Sequence, residues 1–520
     1  MKVALLAPPY PLEEAPSPPL GLCAAAAAFE SAGANVRIFD YIVSRCTPEK
    51  LAQQLSDFSP DIIGATAVTL NFPHAAEMLK TAKQCQPKVV TIMGGPHVSF
   101  AAAETLAAYP EIDLIFLGEA DLTIPRWLPV YQNRSAWRTI QGLSFMEAGR
   151  RVDTGFGELT RHLDDLPRPA RHLLPLSRYR ALGFPISLIT SRGCPNRCIF
   201  CLGRRMVGPK VRYKSVSRII DEIEDLVSQG FDIINIADDL FTADKKRVKA
   251  ICRAIIDRDI RFIWSAFVRV DTLSEEILQH MKQAGCASVA FGVESGNPEM
   301  LKRIKKGITV EQARQAALLC RKAGIRPHAS FIVGLPGETA ETLNDSLALV
   351  REMDIEYGFH FLSPFPGTGV REHVAAYDLE ILSDDWFRYD ANSAVVRTSR
   401  LSPSDMESFV QRAYQPIVDA WAALTRRVAD GRGTAEERRQ SENVDRLNLI
   451  YAILSNDLIE QNGGGYSGAS ETELIDRLSR RVAEETAHPF DFVRYYIREW
   501  VNKKYLMVYP DQGEIGWAWP

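Results

Sequence analysis

The sequence predicts an α/β protein of about three domains: an N-terminal parallel-sheet domain, a partial (β/α)6 TIM barrel and a mostly helical C-terminal domain. Two series of short apolar runs, in which each run precedes a segment of helical periodicity, indicate the two α/β domains. The alternation stops beyond about Tyr377, where helix-like segments take over. The length of 520 residues agrees with this division, since domains typically hold about 100–200 residues.

The first series consists of strand–helix pairs and defines a domain at residues 1–135. A parallel sheet with helices on both faces is the expected result, and ligands of such sheets bind at the carboxyl ends of the strands. The predicted strands are 3–7, 36–39, 62–66, 89–93 and 114–117, and the predicted helices are 20–32, 48–58, 75–85, 101–108 and 122–130.

A connection at residues 136–182 leads to a second α/β domain at residues 183–376. The connection begins with a predicted hairpin at 140–154, which turns near Ala148 and Gly149, and continues into the proline-bearing charged stretch 163–180. The strand–helix units that follow are too few for a full eight-unit barrel and favour a partial one. Their strands are predicted at 186–190, 233–236, 262–267, 287–291, 329–333 and 358–362.

The C-terminal domain, residues 377–520, is predicted to be mostly helical. A charged run at 426–442 and the glycines 463–465 separate its helix-like segments. Near the end, Trp517 and Trp519 either cover a cleft or dock a tail, and docking is favoured because large aromatic side chains are usually buried. The predicted helices are 403–424, 445–459, 471–486 and 491–505.

Composition and charge are those of an ordinary soluble globular protein. Hydrophobic residues make up 46% and charged residues 24%, and the net charge of -4 provides no broad field for binding nucleic acid. The 9 cysteines lie mostly in apolar segments and indicate reduced thiols rather than a disulfide framework. No secretory signal is visible, and the longest apolar candidate, 21–29, is too short to span a bilayer. We therefore expect a cytoplasmic protein without a transmembrane segment.

Three cysteines directly after the first barrel strand form the most specific motif. Cys194, Cys198 and Cys201 have the spacing C-x3-C-x2-C on one tight loop. Three thiolates so placed bind three irons of a 4Fe-4S cluster and leave the fourth iron open for another ligand. The alternative is a structural zinc site, but such sites take four ligands, and the next cysteine, Cys252, lies in a helix-like segment. Ligand count and spacing favour the cluster.

The triad resembles the signature of the radical S-adenosyl-L-methionine (SAM) superfamily. The resemblance implies that the open iron is chelated by the amino and carboxylate groups of SAM, and that reduction of the cluster cleaves SAM to a 5'-deoxyadenosyl radical. An external one-electron reductant of the flavodoxin or ferredoxin type is therefore an expected partner. Phe200 matches the aromatic position before the last cysteine, which in the family lies beside the adenine.

Further candidate SAM residues end the second and third barrel strands, where carboxyl ends face the active-site mouth of this architecture. Asp238 and Asp239 match a strand whose polar groups bind the SAM amino group in relatives. The alternative for Asp239 is to cap the following turn. Arg269 is a candidate for the SAM carboxylate, and its alternative is a salt bridge to Asp271.

The fourth and fifth strands end in runs that resemble a radical SAM subgroup, which includes methylthiotransferases and oxygen-independent coproporphyrinogen oxidase. Glu294, in F-G-V-E-S-G-N-P, is a candidate for binding the SAM ribose, since a buried carboxylate there needs a partner. Val333 and Gly334, in F-I-V-G-L-P-G-E-T, are candidates for close approach to the adenine. Glu338 is expected to begin the next helix. With the run 363–368, the resemblance covers residues 186–368.

Two histidines flank the fifth and sixth barrel strands. His328 and His360 each either face the cavity, as a substrate ligand or proton relay, or are packed in the core. Packing is the commoner situation for a histidine and is favoured for both.

The N-terminal domain resembles the cobalamin-binding domain that precedes the barrel in cobalamin-dependent radical SAM enzymes. Its sheet is similar to a flavodoxin-like arrangement, with small residues that leave room for the tail of the cofactor. The residues alone indicate only a nucleotide-sized ligand site, and a flavin or a purely structural domain is the alternative. The resemblance implies cobalamin contacts from Pro9, Tyr10, Leu20, Gly21, Thr66, Val68, Thr69, Gly94, Gly95, His97, Gly118 and Glu119.

The D-x-H-x2-G run by which many methyltransferases and mutases ligate cobalt does not occur in the sequence. His97, in G-P-H-V-S, does not match it. The resemblance therefore implies a cobalt without a protein histidine ligand, with residues 68–70 near its lower face. This departure argues against mutase chemistry and leaves methyl transfer intact.

The leading hypothesis is an enzyme that methylates an unactivated carbon of a small-molecule, lipid or natural-product substrate through methylcobalamin and the 5'-deoxyadenosyl radical. The alternative is a radical oxidative cyclase, because residues 382–390 resemble anaerobic magnesium-protoporphyrin monomethyl ester cyclases. Within that run, Trp386 and Tyr389 are expected to pin the barrel to the C-terminal helices. A non-catalytic cobalamin sensor would not require the cysteine triad, and a transfer-RNA methylthiotransferase would need grouped N-terminal cysteines and a basic RNA-binding module.

Overall fold

The strands of the N-terminal sheet are β1 (Lys2–Ala7), β2 (Asn35–Asp40), β3 (Ile62–Thr66), β4 (Val90–Gly94), β5 (Leu114–Phe116), β6 (Leu143–Glu147) and β7 (Arg150–Asp153). Their order is β2-β1-β3-β4-β5-β6-β7; β1 to β5 run parallel, and the predicted hairpin adds β6 and β7 in antiparallel orientation. Ala148 and Gly149 make the hairpin turn with φ values of 48° and 74°. The computed structural model describes residues 1–462, 470–511 and 514–520, so glycines 463–465 lie outside the described residues.

Helices pack on both faces of this sheet: α1 (Leu20–Ser31), α2 (Pro48–Phe58), α3 (Phe72–Cys85), α4 (Pro96–Phe100), α5 (Ala102–Ala108) and α6 (Thr123–Trp127). α1 and α6 share one apolar core, which includes Phe29 and Trp127. α2 to α5 share a core on the opposite face, which includes Leu79 and Leu106. The predicted parallel sheet between two helical layers is confirmed.

The strands of the second domain are β8 (Ile186–Leu188), β9 (Ser191–Arg192), β10 (Arg212–Tyr213), β11 (Ile233–Ile236), β12 (Ile263–Phe267), β13 (Cys286–Glu294), β14 (Arg326–Val333) and β15 (Glu356–Phe361). β9 and β10 form a small antiparallel pair, and the others form one parallel sheet in the order β15-β14-β13-β12-β11-β8. Strand order therefore follows chain order across the sheet, as the predicted partial barrel requires.

Most of the helices that accompany these strands cover the outer face of the barrel. The helices are α7 (Leu176–Leu182), α8 (Gly203–Val207), α9 (Val216–Ser228), α10 (Lys245–Asp257), α11 (Glu275–Gln283), α12 (Pro298–Arg303), α13 (Val310–Lys322), α14 (Ala340–Met353) and α15 (Gly369–Glu372), of which α8 lies at the barrel mouth. Every second strand residue, such as Ala329 and Phe331 on β14, is buried in the core shared with these helices. The intervening residues therefore face the barrel lumen.

The C-terminal part contains α16 (Pro403–Ala429), α17 (Ala435–Asn456), α18 (Leu458–Asn462), α19 (Glu471–Thr486) and α20 (Phe490–Asn502). It also holds two short antiparallel pairs that were not predicted, β16 (Glu380–Ile381) with β17 (Val396–Arg397), and β18 (Met507–Asp511) with β19 (Glu514–Ala518). The prediction that 426–442 separates two helices was wrong for most of the run. Thr434 and Glu437 form a capping box that starts α17 inside it, and its charged side chains lie largely on solvent-facing surfaces.

Contacts from the C-terminal part close the barrel edge at β15. The Phe359 amide donates a hydrogen bond to the Tyr414 hydroxyl at 2.7 Å, and the Tyr357 hydroxyl donates to the Ala413 carbonyl at 2.7 Å. α16 thus occupies an edge that would otherwise expose unpaired backbone groups. Trp519 packs on Trp500, as expected for a docked tail. Among the described residues, no helix has the combination of length and apolar character that crossing a bilayer demands.

Candidate functional site

The cysteine loop is held between the β9–β10 pair and the end of α8. Gly193 has a φ of 113°, and a side chain there would overlap the carbonyl of Lys210. The Cys194 amide donates to the Gly208 carbonyl at 3.1 Å, which fixes the start of the triad. The Gly203 amide donates to Cys201 Sγ at 3.3 Å, and hydrogen bonds of this kind stabilise thiolate ligands.

The three thiols of the triad lie in a partly buried, mixed electrostatic environment. Burial raises the pKa of Cys198 and that of Cys201, the latter to about 11, and the neighbouring thiols raise both further. Lys306 and Arg269 act in the opposite direction on the pKa of Cys198. These two cations therefore favour the thiolate form of Cys198, which is the form that binds iron.

Asp238 is directed at the backbone of the barrel strand before the triad. Its carboxylate accepts hydrogen bonds from the Thr190 amide at 2.6 Å, the Ser191 amide at 3.0 Å and the Ser191 hydroxyl at 2.6 Å. The side chain is buried, so these donors compensate its desolvation. Asp238 therefore fixes the strand end from which the cysteine loop departs.

Asp239 lies beside the cysteine loop and lines a cavity. Its carboxylate accepts a hydrogen bond from the Gly193 amide at 3.3 Å. A Cβ placed on Gly203 would lie 3.2 Å from Asp239 Oδ1 and 3.6 Å from Cys201 Sγ, so this carboxylate and the thiol border the same gap. Burial raises the pKa of Asp239, and Asp238 and Glu119 add to the effect. The alternative role as a turn cap does not apply, because the turn that follows, Phe241–Ala243, has Leu240 at its N-cap and no side-chain cap.

Glu294 forms a buried ion pair with Lys306, a residue that sequence reasoning missed. Lys306 Nζ lies 2.6 Å from Glu294 Oε1 and 5.8 Å from the centre of the Phe200 ring. Glu294 has a φ of 71° at a β-bulge in β13, and a side chain on Gly292 would overlap its carboxylate. The sequence offered one indication of this pair. A buried glutamate at a strand end needs a cationic partner, and Lys306 follows Glu294 after a single short helix, α12.

Arg269 makes the salt bridge that was its alternative assignment. Its guanidinium lies 3.0 Å from Asp271 Oδ2 and donates to the Lys306 carbonyl at 3.1 Å. Arg269 thereby positions the backbone of the lysine that pairs with Glu294. The two candidate SAM residues are thus joined through Lys306.

The loop after β14 closes around Glu338 rather than starting a helix with it. Glu338 folds back to accept hydrogen bonds from the Gly334 amide at 2.6 Å and the Leu335 amide at 3.2 Å, while Thr339 caps α14. Glu338 is 0% exposed, its Oε1 has no hydrogen-bond partner, and burial raises its pKa to about 8. Gly334, at a φ of 92°, permits this tight loop directly after Val333.

A cavity of about 350 Å³ lies between the N-terminal sheet and the barrel mouth. Six of the candidate cofactor residues of the N-terminal domain line it: Gly21, Thr66, Gly94, Gly95, Gly118 and Glu119. The opposite wall comes from the second domain and includes Ile189, Ser191, Arg192, Met206, Val207 and Asp239. The cavity thus places the N-terminal ligand site against the residues that precede and follow the cysteine triad.

Glycines keep this cavity open, and their arrangement fits an elongated cofactor tail. A Cβ on Gly21 would meet no heavy atom within 4 Å, and one on Gly94 would meet only Phe116 at 3.9 Å, so larger side chains at either position would fill the cavity. Gly95 is required for its backbone, because its φ is 106° and a Cβ would lie 2.5 Å from the Ala67 carbonyl oxygen. The volume is in the range of small-molecule and cofactor pockets.

The remaining candidates of the N-terminal domain lie outside this cavity. Leu20 lines a smaller adjoining pocket with Gly21. His97 is turned to the other face of the sheet by the short helix α4, where it stacks on Phe72 at 4.1 Å and contacts Thr69 at 3.2 Å. Burial lowers the pKa of His97 to about 3. The candidates that do not line the cavity are Pro9, Tyr10, Leu20, Val68, Thr69 and His97.

Two family models match the two α/β domains. The B12 binding domain matches residues 14–128 and the Radical SAM superfamily matches residues 188–350. An uncharacterized methyltransferase of Pyrococcus horikoshii is 33% identical over 80% of this chain and 92% of its own length. The chain belongs to the cobalamin-dependent radical SAM family. The anaerobic magnesium-protoporphyrin IX monomethyl ester cyclase of Cereibacter sphaeroides is 26% identical over 76% of this chain and 66% of its own.

The solved structure of the cobalamin-dependent radical SAM enzyme OxsB, with aqua-cobalamin and SAM bound, shares the fold. Its TM-score is 0.68 at 17% identity, covering 96% of this chain and 84% of that one. Membership of the cobalamin-dependent radical SAM family confirms the predicted enzyme class and the predicted cofactors, a 4Fe-4S cluster, SAM and cobalamin. It also decides against the zinc, flavin and sensor alternatives.

In this radical SAM enzyme, an ion-pair network that the sequence did not reveal joins the two cofactor domains. Arg192, two residues before the triad, lies 2.8 Å from Asp121 and 3.3 Å from Glu119. Arg212 lies 2.5 Å from Glu119 and also donates to the Thr160 carbonyl at 2.8 Å. Both acidic residues follow β5 on the cobalamin side, so the network ties that strand end to the cluster loop.

The expected role of Trp386 needs a correction. Its ring contacts His97 at 4.9 Å and the Arg371 guanidinium at 4.7 Å, and it packs against Tyr389 at 4.9 Å. Trp386 therefore pins the loop after β15 to the cobalamin-binding domain, rather than to the C-terminal helices. Tyr389 donates to the Ser383 carbonyl at 2.6 Å, which holds the same segment together.

Proposed function

We propose that this enzyme methylates an unactivated carbon of a small-molecule, lipid or natural-product substrate. The single observation that supports this most is the shared cavity, whose two walls carry the cobalamin candidates and the residues around the cysteine triad. When bound, cobalamin supplies a transferable methyl group and the cluster with SAM supplies the radical that activates the substrate carbon. Methyl transfer needs both groups to face one substrate. A cavity lined by both domains meets that requirement.

The proposed residue roles follow the contacts of the side chains. Cys194, Cys198 and Cys201 hold the cluster. Phe200, Glu294 and Lys306 form a continuous set beside Cys198 that binds SAM, with Arg269 positioning Lys306. Asp239 and Val333–Gly334 remain candidates for further SAM contacts.

The cobalamin roles divide by position relative to the cavity. The small residues Gly21, Gly94 and Gly95 admit the tail of the cofactor, and Thr66, Gly118 and Glu119 contact it from the strand ends. Val68 is 43% exposed after the end of β3 and is proposed to contact bound cobalamin, and its aliphatic side chain offers no ligand atom to the cobalt. His97, with its ring packed on the other face of the sheet, is not part of this proposal.

The second candidate function is a radical oxidative cyclisation. It is favoured by the cyclase relative and by the run 382–390. Two observations favour methyl transfer. The relative named a methyltransferase has the higher identity and is covered over 92% of its length, and Trp386 within the run has a packing role.

Analysis of products separates the two functions. The anaerobically reconstituted protein is reduced in the presence of SAM, and S-adenosylhomocysteine, 5'-deoxyadenosine and methylated cobalamin are quantified. Methylated cobalamin together with S-adenosylhomocysteine supports methyl transfer. 5'-Deoxyadenosine alone, in a reaction that still requires cobalamin, supports the cyclase function instead. A protein that retains no cobalamin contradicts both.

A further inference from the structure

Two segments beside the cysteine triad carry only basic charged side chains. Residues 195–210, which contain the second and third cysteines of the triad, hold four arginines and lysines and no aspartate or glutamate. Residues 302–306, at the end of α12, hold another four and likewise no acidic residue. The whole chain has 61 basic and 65 acidic residues, so these two segments depart strongly from its average. A local excess of this kind produces a positive potential at the surface.

A backbone hydrogen bond holds the two segments together. The Ile199 amide donates to the Ile304 carbonyl at 3.2 Å. Ile199 lies between Cys198 and Cys201, and Ile304 lies in the middle of the run 302–306, with two basic residues on either side. The basic run is therefore packed against the loop that holds the cluster.

Most of the charges in these segments are exposed and have no acidic partner. Arg197, Lys302 and Lys305 are exposed, and within the described residues none of their side chains makes an ion pair or a hydrogen bond. Arg204 is partly exposed and donates to the Pro195 carbonyl at 2.7 Å, two residues before Arg197. We call Arg197, Arg204, Lys302 and Lys305 the basic face.

The acidic side chains near the basic face leave most of its charge uncompensated. Glu372 pairs with Arg205, and Asp271 pairs with Arg269 at 3.0 Å, so each of these carboxylates already has a cation of its own. Glu299 on α12 is exposed and is one carboxylate beside the four cations of the basic face. The face therefore keeps a net positive charge and fits an acidic partner.

The basic face lies outside the cofactor cavity. In the described part of the chain, Arg192, Met206 and Val207 line that cavity on either side of the triad, whereas no residue of the basic face does. A partner on the basic face therefore approaches the triad from the solvent and leaves the cavity free for cobalamin and substrate.

An acidic protein fits this position better than a nucleic acid. Single-stranded nucleic acids are bound by basic grooves that also present exposed aromatic rings for stacking. The two basic segments contain one aromatic residue, Phe200, and its ring is partly buried against the barrel core beside Lys306. The position beside the triad also gives a partner a purpose, because homolytic cleavage of SAM consumes an electron that has to come from outside the chain.

We propose that the basic face is the docking surface of an acidic one-electron carrier protein. One electron passes from the reduced flavin or iron–sulfur centre of the carrier to the cluster held by the triad, and the carrier leaves oxidised by one electron. Redox partners of this kind form small, transient interfaces that charge attraction steers together. The proposal deepens the proposed function by locating its electron-donating partner, and it rests on that function only for the need for an electron.

Rapid mixing of the holoenzyme with a reduced carrier tests the proposal without substrate turnover. Reduced flavodoxin and reduced ferredoxin, both acidic proteins, are each mixed anaerobically with the holoenzyme, and oxidation of the carrier is followed by its absorbance. Affinity is measured separately by calorimetric titration of the holoenzyme with the oxidised carrier. For at least one carrier, the rate and the affinity should both fall as ionic strength rises, because salt screens the attraction. Photoreduced 5-deazariboflavin, an uncharged small reductant, should reduce the cluster at a rate that salt does not change.

A charge-reversed variant tests the location of the docking surface. Lys302→Glu with Lys305→Glu changes the net charge by the same amount as the control Arg253→Glu with Lys322→Glu, whose residues are exposed on α10 and α13. The first double variant should slow reduction by the carrier about tenfold or more and weaken its binding. Its iron content and its reduction by 5-deazariboflavin should equal those of the parent, which shows that the cluster site is intact. The control should match the parent in all four measurements.

Three results overturn the proposal. The first is that neither carrier binds, and the second is that the two double variants behave alike towards the carrier. The third is that Lys302→Glu with Lys305→Glu abolishes binding of an oligonucleotide while reduction by the carrier is unchanged. The product analysis that tests methyl transfer is run with the small reductant, so a failure of the docking proposal and a failure of the proposed function are distinguishable.

Discussion

At the scale of single residues, the proposed SAM site depends on the buried ion pair between Glu294 and Lys306. Both side chains are 9% exposed, and each charge is buried against the other. Sequence patterns identified Glu294, because a strand end and a neighbouring glycine locate it. They did not identify Lys306, because its position relative to Glu294 depends on how α12 returns to the barrel mouth. An ion-pair partner that tertiary packing brings into place, such as Lys306, cannot be found from the spacing of residues in the sequence.

Lys306→Met is expected to destabilise the protein by about 3–5 kcal/mol, since it leaves the Glu294 carboxylate buried without a partner. Equilibrium unfolding in urea measures the effect. The double variant Glu294→Gln with Lys306→Met should recover much of the loss, because no unpaired charge remains. Lys305→Met is the matched control, and a surface change of this kind should alter stability by less than about 0.5 kcal/mol. A double variant no more stable than Lys306→Met would contradict the account.

Glu338→Gln is expected to change how stability depends on pH. The pKa of Glu338 is raised to about 8 in the folded protein. A carboxyl whose folded pKa exceeds its unfolded pKa destabilises the fold progressively as pH rises from the unfolded value to the folded one. The variant should therefore gain stability over the parent between about pH 4.5 and pH 8. Urea unfolding midpoints at several pH values measure the stability difference between the variant and the parent, with Glu341→Gln as an exposed control. A stability difference between parent and Glu338→Gln that does not change with pH would refute the raised pKa of Glu338.

At the scale of elements, the barrel and the N-terminal sheet were largely readable from the sequence, whereas the C-terminal part was less so. Alternating strand and helix periods repeat along the chain, so several elements support each assignment. The pairs β16–β17 and β18–β19 are too short to show a period. The charged run 426–442 was misassigned because composition alone does not distinguish a loop from the solvent-facing surface of a helix.

Gly193, directly after β9, is expected to determine the conformation of the cysteine loop and therefore its ability to hold the cluster. Gly193→Ala forces a side chain into the Lys210 carbonyl at a φ of 113°. We expect the cysteine loop to rearrange and the anaerobically reconstituted protein to lose most of its iron and acid-labile sulfide. Gly149→Ala, at a φ of 74° in the β6–β7 turn with no neighbour within 4 Å, also places an alanine at a positive φ but without a clash, and should keep full iron content. Equal iron content in the two variants would show that the loop tolerates the change.

Gly21 on helix α1 is expected to keep space in the cavity that cobalamin binding requires. Gly21→Leu places a large side chain in the open part of the cavity, where a Cβ has no neighbour within 4 Å. Cobalamin retention after gel filtration should fall at least tenfold, while iron content stays at the parental value. Ser31→Leu, at the exposed end of the same helix, should retain cobalamin. Loss of iron together with cobalamin would mean that the substitution unfolds the domain rather than filling the site.

At the scale of the whole molecule, two α/β domains that are readable separately acquire their function from the contact between them. The sequence located the cluster loop, and half of the cobalamin candidates it indicated line the cavity. It did not reveal that both sets share one cavity, nor that Arg192 and Arg212 tie the domains together. Such contacts depend on the relative placement of two domains, which neither periodicity nor motif spacing encodes.

The central claim is that cobalamin and the cluster face one cavity, and electron paramagnetic resonance tests it most directly. The holoenzyme is prepared with cob(II)alamin and a reduced, paramagnetic cluster, and the microwave power that saturates the cobalt signal is measured. The control is Cys198→Ala protein, which lacks the cluster and retains cob(II)alamin. The account predicts that the cobalt signal saturates at clearly higher power in the holoenzyme, because a nearby paramagnet speeds its relaxation. Identical saturation in the two samples would contradict the shared cavity.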